Sequence, residues 1–380
     1  MKIVFASVAL NIHQVGVADE LYRLCGNDYR FIETGLNVRE HAKGGTDNSF
    51  ALRPYLIRLS DGQVAMDEAM RLIREADVYV HGASPLCLLE NRVKTGKLTF
   101  VCGERWLKKG LLNLLSPRLI RQQWLYHIYC RKKPVYALCS SAYAAADYRL
   151  LHSYCDKCYK WGYFTAVPEL DINNVIVAKR NASTVKILWV ARFLLLKHPE
   201  RMLQLASQLR REALDFQIDM IGAGPEYEKT YAQVQKQGLG DYVKLLGAIP
   251  NDEVLEAMRS HHISCFTSDK NEGWGAVLNE AMANGCCPVS SIETGSTPYL
   301  IKDGINGFSF SQRNENELFE KVKWLILHPT ERERMSVEAY RTMCDVWSPK
   351  NAAANLLRLC GSLLDGGENT IADGPCGKAE

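Results

Sequence analysis

The sequence predicts an α/β protein made of two doubly wound domains in tandem, each a parallel sheet covered by helices. Three observations carry that expectation. Short apolar runs of strand length alternate with amphipathic stretches of helical spacing along the chain, the pattern of repeated β-α units. The chain has 380 residues, which at roughly 150 residues per domain is two domains and a remainder. Hydrophobic residues make up 47% and charged residues 23%, enough apolar surface for two cores, so disorder, collagen and coiled coil are excluded as global descriptions. No run approaches the roughly 18 to 20 apolar residues of a membrane-crossing helix.

In the first half, KIVFAS reads as a buried strand. The opening MKIVFASVAL loosely mimics a signal peptide, but no small-residue cleavage pattern follows it. Val17 to Cys25 and Gln63 to Glu75 have helical spacing, ADVYVHG and KLTFVCG read as strands, PVYALCSSAYAAADYRLL as strand, turn and helix, and CYKWGYF as a short strand. This first domain is expected over residues 1–175. The polar stretch DINNVIVAKRNAST, about residues 171–184, reads as the boundary.

The second domain, expected over residues 185–345, repeats the pattern more clearly. Its strands are VKILWVAR, FQIDMIGAG, YVKLLG, ISCFTS, CCPVSS and NGFSF. Its helices run over Pro199 to Glu212, Glu226 to Gln237 and Asp252 to Ser260, with another beginning near Gly275 and two more at Glu315 to Leu327 and Thr330 to Asp345. A last helix, Asn351 to Leu364 within a segment 346–364, is expected to pack back towards the first domain. Residues 365–380 lack apolar periodicity and read as a disordered tail.

Thirteen cysteines, an odd number in a chain too long to need disulfide staples, point to a reducing compartment and a cytoplasmic protein. The pair Cys155 and Cys158 lacks the second pair of a zinc ribbon; with His152 as a third ligand it could make a metal site, but a structural pair is the default. The net charge of +3 does not point to nucleic acid. The charge is unevenly spread: Lys97 to Lys133 holds nine basic residues against Glu104, a local balance of +8. Within it Trp106, Leu111, Leu112, Leu114, Leu115, Leu119, Ile120, Trp124, Leu125 and Tyr126 interleave with Lys108, Lys109, Arg118, Arg121 and Arg131 to Lys133. That composition suits a helix on an anionic membrane surface and equally a core-facing helix pair with a solvated basic side.

The chemistry concentrates in Glu272-Gly-Trp-Gly-Ala-Val-Leu-Asn-Glu280, which leaves a strand and enters a helix. A helix start offers unpaired amides and a partial positive charge to a diphosphate, and Gly273 and Gly275 permit close approach. Glu272 and Glu280 can each accept from hydroxyls, so the turn suits a nucleotide sugar. Arg192 ends the strand VKILWVAR and Lys197 follows, both at a sheet edge where ligands bind in doubly wound folds. Gly222 and Gly224 are followed by Tyr227 where a dinucleotide fingerprint needs its third glycine, which disfavours an oxidoreductase. No Asp-x-Asp occurs, and helix amides with two cations can neutralise a diphosphate without a metal.

The order WVARFLLLKHPE, DMIGAGPEYE, VKLLGAIPNDEV, SCFTSDKNEGWGAVLNEAMANGCCPVSS, TGSTPYLIKDGINGFSF and WSPK, over about residues 185–362, resembles the group 1 retaining glycosyltransferases of the GT-B fold. These are the enzymes similar to bacterial mannosyl- and glucosyltransferases of surface-polysaccharide synthesis. The resemblance implies two Rossmann-like domains facing across a cleft, a nucleotide-sugar donor, a glycan or lipid-linked acceptor, and no cofactor or metal. It implies that Arg192 and Lys197 bind the diphosphate and that Glu272 holds sugar hydroxyls. Gly222 would lie at the donor, Ala248 and Ile249 against the base, Gly273, Trp274, Gly275, Ala276, Val277 and Leu278 along sugar and phosphate, and Glu280 at the ribose. Ala191 stands where the family usually has glycine, and Gly295 is alone where a pair is common.

The first half departs further, with Asn11, His13, Gln14 and Gly16 in place of a glycine pair. Where the family often has a histidine facing the sugar, this chain has Glu104 and Arg105, and His81 is an alternative occupant. The expected catalytic set is Glu272, Lys197, Arg192 and Glu104, with His13, His81, Glu104 and Arg105 on the acceptor side. Arg105 to Lys133 is the stretch expected to touch an anionic membrane, on the inner face of the cell membrane. A sugar-nucleotide epimerase of the same fold, or a silent nucleotide-sugar or membrane-binding module, is the alternative.

Overall fold

The computed structural model describes residues 1–35, 48–108 and 110–380, in two compact units. Unit 1 comprises Met1–Ala166 with Val346–Glu380, and unit 2 comprises Val167–Asp345.

Unit 1 is built on seven parallel strands: β1 (Ile3–Ser7), β2 (Tyr29–Glu33), β3 (Leu56–Arg58), β4 (Val78–His81), β5 (Thr99–Gly103), β6 (Val135–Cys139) and β7 (Cys158–Lys160). Their order is β3-β2-β1-β4-β5-β6-β7, so the winding reverses between β1 and β4. Both of those strands are buried along their whole length, which is why they read as continuous apolar runs. β2 and β3 escaped the sequence reading because YRFIE and LIR interleave charge with apolar residues and are brief. The guanidinium of Arg92 is fully buried without a carboxylate. It donates instead to the carbonyls of Ile73 (2.8 Å), Ala76 (2.8 Å), Asp77 (3.1 Å) and Leu98 (2.9 Å), tying the helix Gln63–Glu75 to the start of β5. Burial lowers its pKa to about 10, so the cation persists at neutral pH.

The helix Pro349–Leu364 packs on the helix Val15–Cys25 in unit 1. Gly16 permits that contact, since a Cβ there would lie 2.9 Å from Pro349 Cγ.

Two expectations need correction. Residues 365–380 are not disordered: Cys376 N donates to Lys160 O (2.7 Å), Lys160 N to Gly377 O (2.7 Å) and Ala379 N to Cys158 O (3.0 Å). Tyr159 and Lys378 thus pair in antiparallel fashion, and the tail covers the outer edge of β7, with Cys376 fully buried. A single stretch of edge pairing has no periodicity to read. The stretch at residues 171–184 is not a linker either. It holds the helix Ile172–Arg180, capped by Asp171 Oδ1 accepting from Asn173 N (3.1 Å) and Asn174 N (3.2 Å). The buried Lys179 ammonium donates to Gly285 O at 2.6 Å, which fastens this helix to unit 2 and moves the boundary to residues 166/167.

Unit 2 has six parallel strands: β8 (Val185–Val190), β9 (Phe216–Ile221), β10 (Val243–Gly247), β11 (Ile263–Phe266), β12 (Cys287–Ser291) and β13 (Phe308–Phe310). Their order is β10-β9-β8-β11-β12-β13, with the reversal between β8 and β11. Trp189, Phe193, Met202, Leu205, Ile218 and Val289 are among the residues of its main core.

The basic segment divides its apolar residues between two environments. Leu119, Leu125 and Tyr126 are buried, whereas Ile120, Trp124 and Ile128 are exposed. Lys109, and the side chains of Leu111, Leu112, Leu115 and Arg118, lie outside the described residues. Among the described residues no helix is long and apolar enough to cross a membrane.

Removing residues 369–380 should strip the tail hydrogen bonds, at roughly 1 kcal/mol each, together with the burial of Ile371, Cys376 and Ala379. Thermal unfolding of unit 1 is expected to begin about 5 °C lower or more. An unchanged calorimetric trace would contradict this account of the tail.

Candidate active site

In a doubly wound sheet, ligands bind beyond the carboxyl ends of the strands where the winding reverses, here between β8 and β11. The segment after β8 is set by its neighbour: Ala191 N donates to Ile221 O (3.1 Å) and Phe193 N to Ala223 O (2.9 Å). Gly222, at φ +140°, would place a Cβ 1.9 Å from Ala191 O, and Gly224, at φ +153°, would place one 2.4 Å from Phe193 O. These glycines therefore let two strand ends touch, which accounts for the Gly-Ala-Gly without a dinucleotide.

The segments after β8 and β11 are laced together through Thr267. Its buried hydroxyl accepts from Trp189 Nε1 (2.8 Å) and donates to Lys197 O (2.6 Å). Asp269 N donates to Leu196 O (2.9 Å), and Gln312 Nε2 to Thr267 O (2.5 Å). The lacing brings Lys197 against Glu272, and their side chains form an ion pair with only 13% and 17% of their surface exposed. The Lys197 ammonium also lies 5.5 Å from the centre of the Phe266 ring.

The glycine-rich turn is rigid. Gly275 has φ +89°, and a Cβ there would fall 2.2 Å from Phe266 Cζ. Trp274 is buried, donating from Nε1 to Asn279 Oδ1 (2.9 Å), while its carbonyl accepts from Ser296 Oγ (2.6 Å). Leu278 is buried behind the turn, and Gly273 is enclosed with it. The helix Val277–Ala283 follows without a side-chain cap on Ala276. Among the described residues the amides of Gly275, Ala276 and Val277 have no acceptor, the condition in which a helix start attracts an anion.

One turn further, the carboxyl of Glu280 has no hydrogen-bond or ion-pair partner among the described residues, and burial pushes its pKa up to about 7. Arg192 is exposed at the same sheet edge, with no partner for its guanidinium among the described residues. Ala248 is exposed after β10, while Ile249 packs partly against Leu188, Ile221 and Val254. The loop around Gly295 is ordered by Glu293, which accepts from Ser291 Oγ (2.9 Å) and Ser311 Oγ (2.9 Å). Behind it Thr297 Oγ1 lies 2.6 Å from both Ser290 Oγ and Thr294 Oγ1, hydroxyls the sequence did not single out.

In unit 1 the acceptor-side candidates separate. His81 is a core residue of β4, buried, with Nδ1 3.0 Å from Tyr79 OH, and burial lowers its pKa to about 4. It is neutral and buried in unit 1, so it presents no exposed ring to an acceptor, contrary to the expectation. Arg105 is committed to the buried Asp147 (3.3 and 3.4 Å) and lies 5.1 Å above the Tyr143 ring, so it braces the segment after β5. Glu104 stays at the strand end, accepting from Tyr163 OH (2.7 Å) and paired with Lys108. The Tyr163 ring stacks on His13 at 5.5 Å, and burial lowers the pKa of that histidine. Glu104, Tyr163 and His13 form one cluster, of which the sequence reading lacked Tyr163.

The same edge holds buried polar atoms with no partner among the described residues: His13 Nδ1, Gln14 Oε1, Thr34 Oγ1, Ser84 Oγ and Thr165 Oγ1. Each of these residues follows the carboxyl end of a strand, the signal that would have found Thr34, Ser84 and Thr165. Buried polar groups are almost always bonded, so these atoms are free to take hydroxyl partners from a ligand. Among the described residues no group of three or more His, Cys, Asp or Glu residues is placed to hold a metal ion, Cys155 and Cys158 included.

Residues 175–342 match the family Glycosyl transferases group 1. The poly(glycerol-phosphate) alpha-glucosyltransferase of Bacillus subtilis is 25% identical over 172 residues, 45% of this chain and 25% of that protein. The GDP-mannose-dependent alpha-(1-6)-phosphatidylinositol monomannoside mannosyltransferase of Mycolicibacterium smegmatis is 24% identical over 183 residues, 46% of this chain and 47% of that protein. The match thus spans a quarter of one curated relative and about half of the other. Among solved structures, HepE of Anabaena in complex with UDP and glucose aligns with a TM-score of 0.62 at 14% identity, covering 94% of this chain and 99% of that chain. The likeness establishes a GT-B fold of two Rossmann-like domains.

The burial of Glu280 has a measurable sign. A carboxyl raised from 4.5 to about 7 on folding binds more protons folded than unfolded, so stability falls as pH rises through that window. Glu280→Gln should lack this loss, and above pH 7 it should be more stable than the parent by on the order of 3 kcal/mol. Urea unfolding of both proteins at pH 5 and pH 8 checks it. Parallel pH dependence of the two would refute the assignment.

Proposed function

We propose that this chain, which carries the group 1 glycosyltransferase family over residues 175–342, transfers a sugar from a nucleotide-sugar donor to a glycan or lipid-linked acceptor in bacterial cell-surface polysaccharide synthesis. The observation that carries the reading is the Lys197–Glu272 pair held beside unpaired amides, with Arg192 and Glu280 unpartnered at the same edge. The ligands of HepE, UDP with glucose, and the GDP-mannose dependence of the mycobacterial mannosyltransferase are of this donor class.

Donor binding would exchange the internal ion pair for two separate contacts, ammonium to phosphate and carboxylate to sugar hydroxyl. Hydroxyl donors from a ribose would satisfy Glu280 and favour its ionised form. In the transfer, the bond from the anomeric carbon to the donor phosphate oxygen breaks and a bond to the acceptor oxygen forms. Negative charge grows on the departing diphosphate, and Lys197, Arg192 and the amides of Gly275 to Val277 stabilise it. In our reading the acceptor attacks on the face the diphosphate leaves, so the anomeric configuration is retained and the phosphate oxygen accepts the acceptor proton. Two cations and the turn amides supply the positive charge, so the reading needs no metal.

The polar atoms at the carboxyl edge of the unit 1 sheet, with the Glu104–Tyr163–His13 cluster, support acceptor binding through hydroxyl groups. Thirteen cysteines support a reducing, cytoplasmic setting.

A calorimetric screen of UDP-, GDP- and ADP-sugars should return one binder, and that donor with candidate acceptors should show transfer. Turnover of Lys197→Ala and of Glu272→Gln should fall at least tenfold, about 1.4 kcal/mol of transition-state stabilisation. Wild-type turnover in either variant would displace the donor site from these residues. Activity should survive EDTA; loss restored only by a divalent ion would overturn the metal-free reading, and epimerised free donor would support an epimerase.

A further inference from the structure

We propose that the surface around Ile120, Trp124 and Ile128 docks unit 1 on an anionic membrane. This surface belongs to unit 1, whereas Lys197 and Glu272 belong to unit 2, and the proposal does not depend on the transfer reaction. The helix Pro117–Gln123 runs directly into a wider turn of π-helix at Trp124–Tyr129. Leu119, Leu125 and Tyr126 are buried, Leu119 against Leu107 and Leu151 and Tyr126 in the aromatic cluster with Trp106 and Tyr154. The apolar demand of the unit 1 core is thus already met from this segment. Ile120, Trp124 and Ile128, spaced by four, remain 56%, 56% and 60% exposed. The exposed Leu150 precedes Leu151, which packs on Leu119 and accepts from Gln123 Nε2 at 3.3 Å. Large apolar side chains gathered in this way mark an interaction site.

Charge chooses the partner. Arg131 and Lys132 are exposed immediately beyond the ridge, and Arg121 lies within it, paired at the surface with Glu90. A cavity of about 160 Å³ adjoins the turn, with Arg131, His127 and His152 in its lining, while the Lys157 ammonium there is held by the carbonyls of Arg131 (2.8 Å) and Lys133 (2.7 Å). A Trp and two Ile among cations match the acyl boundary and the headgroup layer of an anionic leaflet. A second copy of the chain is disfavoured, because a two-fold contact over the ridge would bring two patches of the same positive sign together, whereas an anionic leaflet neutralises them. Lys108 takes no part, since Glu104 holds its ammonium.

Co-sedimentation of the full chain with phosphatidylcholine vesicles, with and without 30 mole percent phosphatidylglycerol at ~30 mM salt, tests the proposal. Binding is expected to need the anionic lipid and to weaken in salt. Trp124→Ser with Ile128→Ser should lower the partition at least tenfold. Arg131→Ser with Lys132→Ser should lower it on the order of 25-fold, about fivefold per cation. Thermal unfolding unchanged in both variants separates lost docking from lost folding; should one be destabilised, a blue shift of tryptophan emission on anionic vesicles, absent in Trp124→Phe, reads the same contact in a gentler variant. Equal sedimentation with neutral and anionic vesicles, undiminished binding by the folded variants, or a light-scattering dimer that Trp124→Ser dissolves, would each overturn the proposal.

Discussion

The placement of the candidate site in unit 2 depends on one buried hydroxyl. Thr267 accepts from the Trp189 indole and donates to the carbonyl of Lys197, so it joins the core of unit 2, the end of β11 and the turn after β8 in one chain of hydrogen bonds. Each partner would otherwise be a buried polar group without a mate, at a cost of about 1–3 kcal/mol. That cost makes the arrangement stiff. Because the carbonyl of Lys197 is held, its side chain starts from a defined point, and Glu272, whose amide donates to Asp269 O at 3.0 Å, meets it from the facing loop.

From that constraint follows an uneven electrostatic field. The ion pair of Lys197 and Glu272 is internally compensated, whereas the turn amides, the Arg192 guanidinium and the Glu280 carboxyl are left for something else. A site with donors at one place and a desolvated acid about a turn away is complementary to a ligand with an anionic middle and a polyol end. Its groups are already positioned, so little reorganisation is needed as charge develops on a leaving group. Gly275 belongs to the same economy of space, since only a residue without a side chain lets the backbone pass Phe266.

Unit 1 shows the contrast between polar groups that hold the fold and polar groups that wait. Arg92 fills its donors with main-chain carbonyls, Arg105 and Asp147 satisfy each other, and His81 has Tyr79. By contrast, Thr34, Ser84 and Thr165, each after a strand end, carry buried oxygens with no partner among the described residues, as does the Tyr29 hydroxyl at the start of β2. Glu104, bonded to Tyr163, belongs to the paired groups.

The sequence by itself determined the two parallel sheets, most of the strand and helix positions, and the segments that carry Arg192, Lys197, Glu272 and Glu280, because all of these are encoded locally. Apolar runs, helical spacing and a glycine-rich turn between a strand and a helix can be read within a dozen residues. Only the tertiary structure decided which of several similar residues reached solvent. His81 and Glu104 both follow strand-like runs, yet one is packed beneath Tyr79 and the other meets Tyr163, 59 positions away. Leu119 and Ile120 are adjacent and equally apolar, yet Leu119 packs with Leu151 and is buried while Ile120 is exposed. The tail reads as disordered because its ordering comes from the open edge of β7, more than 200 residues earlier in the chain. Burial and pairing across such separations depend on which elements the fold brings side by side, and a local pattern holds no record of that.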